Sequence, residues 1–474
     1  MRRSDWKAVL DVVGPASLEH LESLPDRPVY PRGDRAEVMA AVDRELPASG
    51  VDPATVVADL AADVGPYVTA VASGRFFGFV MGGLHPAAWG AEVLVSTWDQ
   101  NAGLYAPTPG VAAAEEVAAR WILELVGLPA ESSVGFVTGG QMATFTCLAA
   151  ARHEVLRAEG WDVESDGLIG APPVTVVLKS GVHSTVPRAL RYLGLGERAA
   201  REVACDDQDR IRPDALDELL RTVTGPTIVA VEAGNVNTGA FDDFAAVADV
   251  VDAHRARGNP TWVHVDGAVM LLAAAAPSFD ERTRGLDRLD SWSTDGHKLL
   301  NVAYDCGIAV CRNAAAHRAA MSVQASYLEQ GGDVRDAMDW NPEFSRRARA
   351  LGVYATLRSL GRDGVVDLVE RTSALARRFA EQLAASGQAE IVNEVASNQV
   401  LVRWLAPDGD HGALADEVMA RIRADGTAFF SGTSFRGERL MRISVSDWAT
   451  DEDDVDRTLA ALLGHAGEAV AATA

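Results

Sequence analysis

Two pieces decide the fold: TWVHVDGAVMLLAAAAP (residues 261–277) and, after a short irregular segment, LDRLDSWSTDGHKLLN (residues 286–301). The first opens with an apolar run, Trp262 to Val265, that ends in Asp266, Gly267 and Ala268. It reads as a buried strand with a carboxylate at its carboxyl end. The second places Lys298 directly behind His297. Of the 43 Lys and Arg residues only Lys7, Lys179 and Lys298 are lysines, so position 298 stands out as a site that asks for a primary amine. An amine condenses with a carbonyl, whereas a guanidinium stays protonated.

A strand-end carboxylate with a loop lysine is the pair that pyridoxal 5'-phosphate (PLP) requires. The amine takes the aldehyde carbon, and the carboxylate keeps the ring nitrogen protonated. Taken alone, Asp266 also fits a turn after a buried strand, and Lys298 a surface lysine in an arginine-rich chain.

Working outward, strand and helix patterns alternate. Strands are expected at 134–137, 174–178, 227–232, 262–266 and 307–311, with helices at 111–126, 186–193, 214–223 and 244–257. Such alternation predicts a mainly parallel sheet covered on both faces, with a ligand beyond the carboxyl ends of the strands. Gly139, His183, Asn237 and Asp266 fall there. Residues 1–75 are expected to be helical, with Asp52-Pro53 starting one helix. The Gly- and Phe-rich piece from Gly74 to Trp89 reads as a covering loop. Residues 76–344 form the expected large domain and 345–474 a smaller α+β domain. The latter has helices at 345–359, 365–386 and 413–423, strands at 390–392, 399–405, 428–430 and 439–445, and a last helix capped by Thr450.

The net charge of −24 leaves no basic patch to neutralise phosphates, which argues against a nucleic-acid partner. The longest apolar stretch is too short for a bilayer, and MRRSDWKAVLDVV lacks the apolar core of a signal peptide. Cys147, Cys205, Cys306 and Cys311 have neither metal nor secretory spacing. A cytoplasmic protein without a metal site is expected.

TGGQMATFTCLAAAR (138–152) puts glycines at a helix start, where Gly139, Gly140 and Gln141 would donate to a phosphate; a plain tight turn reads the same way. It lacks the Walker and dinucleotide patterns. SGVHSTVPRALRYLGLG (180–196) sets His183 at a strand end, and EAGNVNTGAFDDF (232–244) offers Asn237 and Thr238 to a cofactor oxygen or a substrate carboxylate.

The ordered set of these pieces with HVDGA (264–268), TDGHKLLNVAYDCG (294–307) and MRISVSDW (441–448) resembles the group II PLP-dependent amino acid decarboxylases of fold type I. These include the aromatic-L-amino-acid, histidine and glutamate decarboxylases. The likeness runs from about Gly74 to Leu462. It implies an aspartate aminotransferase-like large domain with a seven-stranded, mainly parallel sheet, and decarboxylation of an L-amino acid through a Lys298 Schiff base and a quinonoid intermediate. It also implies that Asp266 pairs with the ring nitrogen, that Ala268 and His183 cover the two ring faces, that Gly139, Gly140, Gln141 and His297 surround the phosphate, and that Asn237 and Asp295 belong to the cofactor site. Active sites would be shared across a homodimer, with partner residues drawn from around Asn101–Tyr105. Phe79, Tyr105 and Trp340 become the expected substrate contacts, favouring an aromatic or bulky side chain. Arg442 is open to two readings, a carboxylate reader or a structural ion pair in the small domain, and the second is the one expected.

The chain departs from the family pattern where a loop tyrosine, the proposed proton donor at Cα, is usual. GGDVRDAMDWNPEFSRRARAL (331–351) has none, and the nearest upstream is Tyr327. Gln141-Met142 stands where Ser-Glu is common, and Asn235-Val236-Asn237 replaces a Thr-rich loop. Other endings for the same carbanion therefore stay open: oxidative deamination to an aldehyde, transamination or carbon–carbon bond formation. A non-catalytic protein of the same fold is the remaining alternative.

Overall fold

A computed structural model describes residues 5–323 and 334–473. Seven strands form the large sheet: β1 (Ser133–Val137), β2 (Thr175–Lys179), β3 (Arg201–Val203), β4 (Thr227–Glu232), β5 (Thr261–Asp266), β6 (Ser291–Asp295) and β7 (Gly307–Cys311), in the order β1-β7-β6-β5-β4-β2-β3. Only β7 runs against its neighbours; the other pairings are parallel.

The period-2 geometry of a strand divides its side chains between two cores. Val176, Leu178, Ile228, Ala230 and Trp262 pack with the helix Gly140–Arg157. Their neighbours Val177, Val229, Val231, Val263 and Val265 join the opposite core, with the helix Pro109–Val126. Burial on both faces explains the unbroken apolar runs of β4 and β5, and each enclosed valine contributes about 1.5–3 kcal/mol.

Two strands of this sheet were not expected. β3 is three residues long and mostly exposed. β6 reads SWSTD, too polar for a buried strand, yet it is wholly buried. Its Ser291 hydroxyl takes the Trp262 Nε1–H at 2.8 Å and lies 3.0 Å from His264 Nδ1, so the polar groups are satisfied inside the sheet.

The N-terminal segment is helical as expected: Asp5–Ser23, Arg35–Val42 and Pro53–Val64. Asp52 caps the third helix by accepting the Thr55 N–H, and Pro53 fills its first turn. None of the three helices buries a residue, and Trp6, Leu10, Leu18 and Leu60 are exposed.

The smaller sheet has β8 (Ala389–Ile391), β9 (Gln399–Trp404), β10 (Ser431–Phe435) and β11 (Glu438–Ser444), in the order β10-β11-β9-β8. The strand expected at 428–430 lies outside it. Phe429 exchanges backbone hydrogen bonds with Arg75 and Phe77, so this piece pairs with the Phe-rich loop. The two helices expected at 345–359 and 365–386 are present within Ala350–Ala385, separated by a kink at Gly361, whose φ is 63°. The first half of this stretch packs in the large core and the second half in the small one. The final helix starts at Glu452 and is capped one residue later than expected. Asp451 accepts the Asp454 N–H, while the Thr450 hydroxyl donates to the Gly74 carbonyl.

Candidate active site

The carboxyl ends of β2, β4, β5 and β6 meet at a cavity of about 220 Å³. Asp266, Ala268 and Lys298 line it together with His183, Glu232 and Arg442, and Phe79 and Val80 border it as well.

Asp266 ends β5 and is 6% exposed. One oxygen accepts the Ala268 N–H at 3.0 Å; the other accepts the Thr185 hydroxyl at 3.3 Å. Thr185 Oγ1 also lies 2.9 Å from His183 Nδ1, and the Thr185 backbone N–H donates to the same nitrogen at 3.4 Å. Asp266 and His183 are therefore joined through a threonine that the sequence reading passed over, although it stands inside the HSTVPR motif.

Asp295 ends β6 and is 4% exposed. Its Oδ1 accepts the Gly140 N–H at the start of the helix Gly140–Arg157, and Oδ2 lies 2.9 Å from Lys298 Nζ. His297 Nδ1 accepts the Cys306 N–H, so the ring proton sits on Nε2, 3.4 Å from Asp295 Oδ1. Burial, with Asp295 opposing, leaves the His297 pKa below the ordinary histidine value. Gly140 and, facing the turn from β7, Gly307 have no room for a side chain. A Cβ on Gly140 would stand 2.6 Å from Asp295 Oδ2, and one on Gly307 would lie 2.3 Å from the Gly139 carbonyl carbon. The Gln141 side chain is tied to the Thr185 carbonyl through Nε2 at 3.1 Å, and its Oε1 is buried without a partner.

Arg442, on β11, corrects the expectation of a structural ion pair. Among the described residues no carboxylate lies within ion-pair reach. Nη1 donates to the Val236 carbonyl at 2.9 Å, Nε has no partner, and burial lowers its pKa to about 10.

Three expected site residues lie elsewhere. Asn237 accepts from the Thr433 hydroxyl at 2.8 Å, which ties its loop to β10. Trp340 packs edge-on against His317 and beneath the Arg335 guanidinium. Tyr105 borders a separate hollow with Arg120 and Arg335. Neither aromatic lines the cavity. Tyr327 falls outside the described residues. The lysines divide sharply: Lys7 is on the surface beside Asp11, Lys179 is enclosed, and Lys298 is at the cavity.

Residues 36–404 match the pyridoxal-dependent decarboxylase conserved domain. The chain belongs to this family. A 4-hydroxyphenylacetaldehyde synthase of Rhodiola rosea is 24% identical over 468 residues, covering 96% of this chain and 92% of the relative. An L-2,4-diaminobutyrate decarboxylase of Rhizobium meliloti (strain 1021) is 27% identical over 389 residues, covering 79% and 74%. The crystal structure of Oryza sativa TDC with PLP and tryptamine superposes with a TM-score of 0.90 at 22% identity, covering 99% of both chains. The fold is thus that of the PLP decarboxylases, and the protein is a PLP-dependent carboxy-lyase.

The residues present fit the cofactor of this decarboxylase family. One cavity offers an amine at Lys298 and a carboxyl group at Asp266, with a glycine turn at a helix start beside them. No helix among the described residues is long and apolar enough to cross a membrane.

Proposed function

We propose that this protein decarboxylates an L-amino acid with an aromatic or bulky side chain. The observation that carries the reading is the meeting of Lys298, Asp266 and the carboxylate-free Arg442 in one cavity. PLP bound there supplies an aldehyde and an electron-withdrawing ring. Lys298 provides the amine that anchors it. Asp266 holds a proton on the ring nitrogen, and Thr185 holds Asp266. His183 and Ala268 cover the two ring faces. Gly139, Gln141 and His297 face the phosphate. Arg442 takes the substrate carboxylate and so sets which Cα bond points away from the ring plane. Phe79, at the cavity edge, gives an apolar wall to the substrate side chain.

A second reading is favoured by one observation. Residues 334–351 contain no tyrosine to protonate Cα, and a relative of nearly full coverage is an aldehyde synthase. In that outcome the amino acid, O₂ and water yield an aldehyde, CO₂, ammonia and hydrogen peroxide. Incubating the PLP-loaded enzyme with the twenty common amino acids separates the two. Equal CO₂ and amine supports decarboxylation; aldehyde with peroxide supports the alternative; no CO₂ from any of them overturns both.

The working unit is a homodimer in the cytoplasm. The exposed apolar side chains of the N-terminal helices and the apolar hollow around Leu94, Trp98 and Leu351 support pairing of two copies, and the four free thiols suit a reducing compartment. Tyr105 would reach the cavity only from the partner. Sedimentation equilibrium tests this: a monomer at micromolar concentration would contradict it.

A further inference from the structure

Two of the three lysines serve one cavity. Lys298 is part of its wall, and Lys179, at the end of β2, stands behind Glu232 and is 2% exposed. The Lys179 ammonium is 2.7 Å from Glu232 Oε2, 3.4 Å from Asp242 Oδ2 and 2.8 Å from the Asp209 carbonyl oxygen. Three acceptors therefore meet its three N–H donors.

Glu232 ends β4 directly opposite Asp266 in the parallel pairing with β5. It lines the cavity, and its Oε1 accepts the His183 backbone N–H at 3.2 Å. Oε2 also accepts from Asn235 at 2.8 Å. Burial works against both charges. In Lys179 it is outweighed by Asp242 and Glu232, so the pKa is raised; in Glu232 it is outweighed by Lys179 and the hydrogen-bond donors, so the pKa is lowered. Asp242, which takes the backbone N–H groups of Ile211 and Glu232, is the member whose pKa burial pushes up.

A buried ion pair is a poor source of stability, because well-packed apolar residues of the same volume do as well. What this pair does uniquely is fix a backbone donor. His183 has a short list of restraints: its own N–H on Glu232, and its ring on Thr185, which in turn holds Asp266. Removing the ammonium leaves two carboxylates facing each other behind His183, and Glu232 is the one next to open volume.

We propose that Lys179 is a positioning residue for the reaction. By keeping Glu232 charged and in place it holds the segment that carries His183, and through it the imidazole over the cavity. The inference rests on the cavity being the cofactor site.

The test uses the PLP-loaded enzyme and three variants: Lys179→Met, Glu232→Gln, and the two combined. Visible circular dichroism reports how asymmetrically the bound cofactor is held; kcat, KM and thermal unfolding are measured alongside. Lys179→Met should weaken the visible dichroic band and lower kcat by up to about 100-fold, the scale of a misplacement near 1 Å, with KM changed far less. The combined variant is neutral at both positions and keeps an amide oxygen for the His183 N–H, so it should regain most of the band and of kcat. If Lys179→Met does not fold, Glu232→Gln carries the same expectation in milder form. A folded Lys179→Met that keeps the wild-type band and kcat, or a combined variant no better than the single ones, would overturn the proposal. A wild-type protein that develops no visible cofactor band would instead remove the cofactor reading on which it rests.

Discussion

Lys298 and Arg442 border the same cavity, yet only Lys298 has a carboxylate beside it, Asp295 Oδ2 at 2.9 Å. Arg442 is an enclosed cation with a single backbone acceptor and an unpartnered Nε. A cation kept in this state costs stability unless an anionic ligand completes it. Arg442→Met should therefore unfold at the same temperature as the wild type or higher. It should also raise KM by about 10- to 100-fold, since a hydrogen bond to a charged group is worth about 1.5–3 kcal/mol. Thermal melts and steady-state kinetics on one preparation check both halves. A fall in melting temperature with KM unchanged would return Arg442 to a structural role.

Lys298→Ala should abolish the visible absorbance of the PLP-loaded protein and lower turnover by ~10³-fold or more, as the covalent anchor is lost. Asp266→Asn should keep the absorbance and still lose most turnover, because an amide does not hold a proton on the ring nitrogen. Spectra recorded with the kinetics tell the two losses apart.

Gly140→Ala adds a methyl group 2.6 Å from Asp295 Oδ2. Asp295 must then release either the Gly140 N–H or Lys298. Cofactor affinity, measured by fluorescence quenching, should fall by about tenfold or more, on the scale of one charge-assisted hydrogen bond. Gly90→Ala, on a helix with open space around its Cβ position, is the control and should bind normally.

Asp447 predicts a pH effect. It is buried, accepts the Ala449 N–H on Oδ1 at 2.8 Å, and has no partner on Oδ2. Burial, helped by Asp454 and opposed by Ala449 N–H and Arg371, pushes its carboxyl up to about 7. The folded state thus binds this proton more tightly than the unfolded chain. The stability it contributes is full below the unfolded carboxyl range, declines as pH climbs towards 7, and is flat above, at about 1.4 kcal/mol per unit in between. Asp447→Asn should therefore gain on the wild type in melting temperature from pH 5 to about pH 7 and hold that lead above it. A constant difference across that range would contradict the assignment.

Much of this molecule was readable from its residues. The strands β4, β5 and β7 were placed to within a residue, because a wall buried on both faces needs an unbroken apolar run. The spacing from Asp266 to Lys298 marked the two groups that the fold brings to one cavity. Strand β6 escaped because its serines are satisfied by Trp262 and His264, partners remote in sequence. Thr185 and Glu232 escaped for a related reason: their roles lie in hydrogen bonds to His183 and Asp266 that no local pattern encodes. Asn237 misled because a polar loop after a strand looks alike whether it faces a ligand or, as here, Thr433 on another sheet.

The scarcity of lysine makes this chain its own chemical reporter. Lys7 is open to reagents in bulk water, Lys179 is sealed behind carboxylates, and Lys298 opens only into the cavity. Reductive trapping of an aldehyde ligand followed by peptide mapping would thus mark a bound guest on one tryptic fragment, with little background from other side-chain amines.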